Sequence, residues 1–103
     1  MFTFHELNNK DAFAYLCQKT SLFQFFDHVY VFGSMINSDA IPNDIDLLLV
    51  YSSFSGKIID EVNSIKESLE QELHIPIDLT VLSQVELKDT HFLKKIGLFK
   101  VLK

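Results

Sequence analysis

The chain has 103 residues, 48% of them hydrophobic and ten of them Phe, and carries a formal net charge of −5 with a pI near 5.2. That length leads us to expect one domain over residues 1–103, and the hydrophobic fraction excludes an intrinsically disordered chain. The acidic balance argues against direct binding to a nucleic-acid backbone, which needs a basic footprint, and suits a cation-dependent site or a protein partner.

At the N-terminus, MFTFHELNNKD lacks the basic-then-apolar order of a signal peptide. Residues 3–19 are expected to be helical. Asn8 and Asn9 are capping candidates for the stretch from Lys10, with Phe13, Leu16 and Cys17 on one face. Cys17 is the only cysteine, so no internal disulfide forms. Set in the apolar AFAYLCQK, it reads as a buried free thiol rather than a nucleophile. No apolar run approaches membrane-spanning length, and a reducing, cytoplasmic setting is the expectation.

Residues 20–27, TSLFQFFD, carry no decisive period. HVYVF, 28–32, is β-branched and aromatic and stops at a glycine, so it reads as a strand. Gly33-Ser34 then opens a short turn or helix, and SDAIPN, 38–43, is loop chemistry. DIDLLLVY, 44–51, has apolar residues on both faces, which predicts a central strand covered on both sides. SSFSG breaks the pattern as a turn. Ile58, Val62, Ile65, Leu69 and Leu73 then recur at helical spacing, and Pro76 stops that helix near His74. IDLTVL, 77–82, is a third strand, after which Ser83 and Glu86 form a capping box for a last helix carrying Lys88, Lys94 and Lys95. A long helix between the second and third strands is a crossover, so those two strands run parallel. The fold class is therefore α/β (α+β), a small mixed sheet flanked by helices.

Asp44 and Asp46 are the unexpected residues. Side chains two apart on a strand point the same way, about 6.6 Å apart along it. Two such anions repel unless a cation lies between them. Carboxylate oxygens without Cys or His neighbours favour Mg²⁺ or Mn²⁺ over Zn²⁺. Parallel pairing brings Asp78, at the start of the third strand, to the same end of the sheet. An antiparallel first strand brings Gly33 and Ser34 there too, where a glycine permits close approach and a hydroxyl suits a phosphate. The four histidines, His5, His28, His74 and His91, lack ligand spacing, and Asp39 reads as a solvated loop residue.

The pattern FGS, nine residues, DID, then LLLVY resembles the signature of the polymerase-beta-like nucleotidyltransferases, and PIDLTVLSQVEL is similar to their third-carboxylate strand. The small "minimal nucleotidyltransferase" group is the nearest in kind. The resemblance covers about residues 29–51 and 75–87. It implies the palm-like nucleotidyltransferase fold of the polymerase beta group. It further implies that Asp44, Asp46 and Asp78 are catalytic metal ligands for Mg²⁺ or Mn²⁺, with Asp78 taking the acceptor proton. Gly33 and Ser34 would bind the triphosphate of an NTP, with ATP the expected substrate. The activity implied is transfer of a nucleoside monophosphate to a hydroxyl, with release of pyrophosphate. The partner implied is a helical HEPN-type toxin, this chain being the antitoxin, or another partner subunit.

Many relatives carry Arg-Gly soon after Gly-Ser, whereas this chain reads MINSDA. Lys94, Lys95 or a partner's cation are the substitutes considered. Two other functions stay open on sequence: a module of the same fold that neutralises a partner by contact alone, and an enzyme extending RNA ends.

Overall fold

The computed structural model describes residues 9–37 and 44–103. Of the expected cap residues, Asn8 lies outside what it describes, as do the loop at 38–43 and Asp39, while Asn9 is the first residue of the first helix. Helix α1, Asn9–Gln18, leads into a short 3-10 turn at Thr20–Phe23 and strand β1, His28–Phe32. Helix α2, Ser34–Asn37, is a single turn. Strand β2, Ile45–Tyr51, precedes the crossover helix α3, Gly56–Leu73, and strand β3, Ile77–Ser83. Helices α4, Gln84–Thr90, and α5, Phe92–Ile96, are followed by strand β4, Phe99–Val101.

The sheet order is β3-β2-β1-β4, with β2 parallel to β3 and β1 antiparallel to both of its neighbours. The mixed sheet, the parallel crossover and the central β2 all follow the sequence reading. One face carries Val29, Val31, Ile45, Leu47, Leu49 and Ile77, packed with Ala12 and Leu16 of α1 and Ile58, Ile65, Leu69 and Leu73 of α3. Leu48 and Val50 point to the second face and are also fully buried, under the α4 region. Each such leucine or valine contributes about 1.5–3 kcal/mol by leaving water.

Three elements depart from expectation. The last helix breaks in two at His91, which takes a left-handed φ of 52° and caps α4 through its N–H to Lys88. Histidine tolerates this region better than most residues, and no Gly or Pro marks the break. Strand β4 was not foreseen: Gly97, at φ 74°, ends α5, and FKV then pairs with β1. Cys17 is exposed rather than buried. The buried stripe of α1 runs through Ala12 and Leu16 at i, i+4, and Cys17, one residue on, is turned about 100° away from it.

Candidate metal centre

Three strand ends build this site. Asp46 is the register partner of Asp78 on β3 and of Phe32 on β1, so the two aspartates stand side by side on the second face of the sheet. Asp44 immediately precedes β2. One carboxylate oxygen from each of Asp44, Asp46 and Asp78 lies within 4.8 Å of the others. Asp44 and Asp46 are half-buried, and Asp78 is exposed.

The electrostatics are those of a cluster of like charges. Burial, then the charges of Asp44 and Asp78, hold the Asp46 carboxyl above the ordinary aspartate value. The donor set suits a hard divalent cation: oxygen ligands only, gathered close to the roughly 4.2 Å that spans a Mg²⁺ octahedron with metal–oxygen distances of about 2.1 Å. A bound cation would also remove the repulsion that these residues impose on one another.

Gly33 is tied to the same residues. Its φ is 79°, and a Cβ there would collide with Asp46 Oδ2 and lie 3.2 Å from Asp46 Cγ. Conformation and space both require glycine, because the backbone of the β1–α2 turn lies against the Asp46 side chain. Ser34, next in the chain, directs its hydroxyl to Asp44 Oδ1 at 3.5 Å, a long contact. All five residues singled out in the sequence thus meet at one end of the sheet.

Residues 17–100 match the family model described as polymerase beta, nucleotidyltransferase. The chain belongs to the polymerase beta nucleotidyltransferase family. Among solved structures, a double Asp-to-Glu mutant of the toxin–antitoxin pair MntA–HpeT is similar to this family member, with a TM-score of 0.55 and 15% identity, covering 94% of this chain and 73% of that one. A candidate nucleotidyltransferase from Sulfolobus solfataricus aligns at 19% identity and a TM-score of 0.46, covering 87% of this chain and 75% of that one. No curated protein matches. At 15% identity the first likeness speaks to the fold, which is the nucleotidyltransferase fold expected from the sequence.

The remaining sequence candidates stand apart or stay peripheral in this nucleotidyltransferase chain. Helix α5 approaches the aspartate end through Phe92, whose ring meets Phe32 edge-on at 5.8 Å, and Lys94 and Lys95 are exposed on that helix. His28 opens β1 and His74 caps α3, as expected of strand- and helix-end residues. Phe54 of the SSFSG turn lines an apolar hollow of about 290 Å³ with Tyr51, Ile58 and Val81. Tyr51 and the α3 start place that hollow at the opposite end of β2 from the aspartates, so the turn does not shape this site.

Two functional-looking residues escaped the sequence reading. Asp27, at the far end of the sheet, accepts hydrogen bonds from Ser52 and, at 3.2 Å, from Gln84 Nε2. Glu70, on α3, accepts from the backbone N–H of Ile77. Both depend on partners distant in the chain or across a turn, and neither sits in a motif.

Proposed function

We propose that this chain is a nucleotidyltransferase dependent on Mg²⁺ or Mn²⁺ that transfers a nucleoside monophosphate, AMP from ATP, to a hydroxyl of a partner protein. In this reading it acts in the cytoplasm, as a single domain, as the antitoxin of a two-component pair whose toxin is a helical HEPN-type protein. The observation that carries the proposal is the convergence of Asp44, Asp46 and Asp78 within 4.8 Å, with Gly33 packed against Asp46.

The roles follow from the chemistry. Asp44, Asp46 and Asp78 would hold the divalent cation, which when bound neutralises charge on the phosphates and on the attacking and leaving oxygens. Gly33 and Ser34 would receive the triphosphate beside it. The acceptor oxygen forms a bond to the α-phosphorus while the bond from that phosphorus to the bridging oxygen breaks. Pyrophosphate leaves with the electron pair. We assign to the Asp78 carboxylate the proton lost by the hydroxyl. The likeness to MntA, solved with HpeT as a toxin–antitoxin pair, supports the partner assignment, and the two substitutions in that mutant stand two residues apart, as Asp44 and Asp46 do.

The test is incubation with labelled ATP, Mg²⁺ and the candidate partner. Label on the partner with the wild type, and none with Asp44→Asn, is the expected result. Equal labelling by both, or none with any NTP, overturns it.

One alternative has its own observations. Residues 35–43 contain no Lys or Arg, and Phe54, Ile59, Val85 and Leu98 are exposed apolar side chains. A module acting by contact alone predicts that a folded Asp46→Ala variant still neutralises its partner. Loss of neutralisation by that variant removes this alternative.

A further inference from the structure

β3 forms one edge of the sheet, and two glutamates close donors along it. Ile45 N–H bonds the Pro76 carbonyl at 3.0 Å, and Ile45 is the register partner of Ile77. In such a parallel ladder the N–H of Ile77 itself turns away from β2, toward the open edge. It donates to Glu70 Oε2 at 2.9 Å in a partly buried setting. At the other end of the strand, Ser83 N–H donates to Glu86 Oε1 at the same 2.9 Å.

The Glu86 bond has a local reason: it is half of the capping box that starts α4. Glu70 has no such reason. It lies in the last turn of α3, where the negative end of the helix dipole opposes a carboxylate, and its half-buried position adds a solvation cost. It nevertheless spans the turn into β3 twice. Its carbonyl accepts from His74 N–H at 2.9 Å and its carboxylate accepts from Ile77 N–H, the residue before Asp78.

We propose that Glu70 is a positioning residue for Asp78: by holding the Ile77 N–H at the start of β3, it fixes where the Asp78 carboxylate meets Asp46 and Asp44. The inference rests on the reading of the three aspartates as a divalent-cation site. Groups that orient ligands from behind commonly contribute 10–100-fold in metal affinity or activity, and one acting through the backbone belongs at the low end, about tenfold.

The experiment is Mn²⁺ titration of the full chain, followed by electron paramagnetic resonance, with circular dichroism to establish folding. Glu70→Ala is expected to weaken Mn²⁺ binding about tenfold. Glu70→Gln keeps an acceptor oxygen at the same reach and should stay within about threefold of wild type. Glu86→Ala loses a bond of equal length on the same strand, far from the aspartates, and should leave Mn²⁺ affinity unchanged. If Glu70→Ala does not fold, Glu70→Asp, one methylene short of the Ile77 N–H, takes its place. Wild-type affinity in the folded Ala or Asp variant, equal weakening in Glu86→Ala, or failure of the Gln variant to restore binding overturns the positioning role alone. Absence of Mn²⁺ binding by the wild-type protein overturns the cation site itself, and this inference with it.

Discussion

At one end of the sheet Asp27 accepts from Ser52 and Gln84, and those hydrogen bonds, Ser52 first, draw its carboxyl below the ordinary aspartate value. At the other end Asp46 lies among Asp44 and Asp78, and burial together with their charges pushes it the opposite way. The two residues are of one type on one small sheet, both at strand ends. Asp27 is given donors and ties the start of β1 to the end of β2 and the start of α4. Asp46 is given more negative charge. The fold satisfies the first carboxylate and crowds the second with anions, and under the proposed function a cation would supply there what Ser52 and Gln84 supply at Asp27.

The sharpest way to break that contrast is to neutralise each aspartate in turn. Asp46→Asn should lower nucleotidyl transfer by about 10²–10³-fold, the cost of removing one preorganised charge-stabilising group, measured as label transferred from ATP. Asp27→Asn should stay within about twofold. Comparable losses in both variants would make the Asp46 end as structural as the Asp27 end.

A second contrast uses glycines at the same two ends. Gly33→Ala forces a side chain into the left-handed region and against Asp46. It should cost about 1–3 kcal/mol of stability and about 10–100-fold in cation affinity. Gly56, at the start of α3, has nothing within 4 Å of an added Cβ. Gly56→Ala should therefore leave both quantities near wild type in denaturant melts and Mn²⁺ titrations.

The smallest effect is in the pH dependence of the metal-free protein. Asp46 titrates above the ordinary value of 3.8 when folded, so the folded state binds the extra proton. Stability therefore rises as pH falls through its folded pKa toward 3.8. Asp27 titrates below 3.8 when folded, so its contribution is present above that pH and is lost as pH falls further. Urea melts across this range should lose the rise in Asp46→Asn and the later fall in Asp27→Asn.

Much of the placement of the candidate site's residues was legible because it rests on short-range rules. Alternation along 44–51 put Asp44 and Asp46 on one side, and a long crossover helix let β2 and β3 run parallel. Parallel pairing then put Asp78 at the same end of the sheet, and the structure sets it in register with Asp46. What the sequence hid was set by tertiary context. Asp27 meets Gln84 fifty-seven positions away, a pairing that no local pattern announces. The break at His91 takes a left-handed residue that is neither Gly nor Asn. Strand β4 is three residues long, too short for its alternation to stand out, though Gly97 before it was a usable stop signal. Glu70 looked like one more polar residue on the outer face of α3, because its role lies in a bond to backbone beyond the helix end.

The strand order also has a consequence for how the molecule is made. β1 pairs on one side with β2, close in sequence, and on the other with β4, some seventy residues later, where Leu102 N–H bonds the Val29 carbonyl at 2.8 Å and Lys103 Nζ reaches the Phe23 carbonyl at 3.0 Å. In folding, β1 can pair with β2 before β4, distant in the chain, closes its other side. Through that interval β1 offers an unpaired edge, the kind of surface on which nascent chains associate wrongly. Asp46 and Asp78 reside on β2 and β3 and Asp44 immediately precedes β2, so their arrangement depends on the β2–β3 pairing and not on β4. A chain cut before residue 99 would thus keep the strands that carry the acids and leave β1 open on its other side.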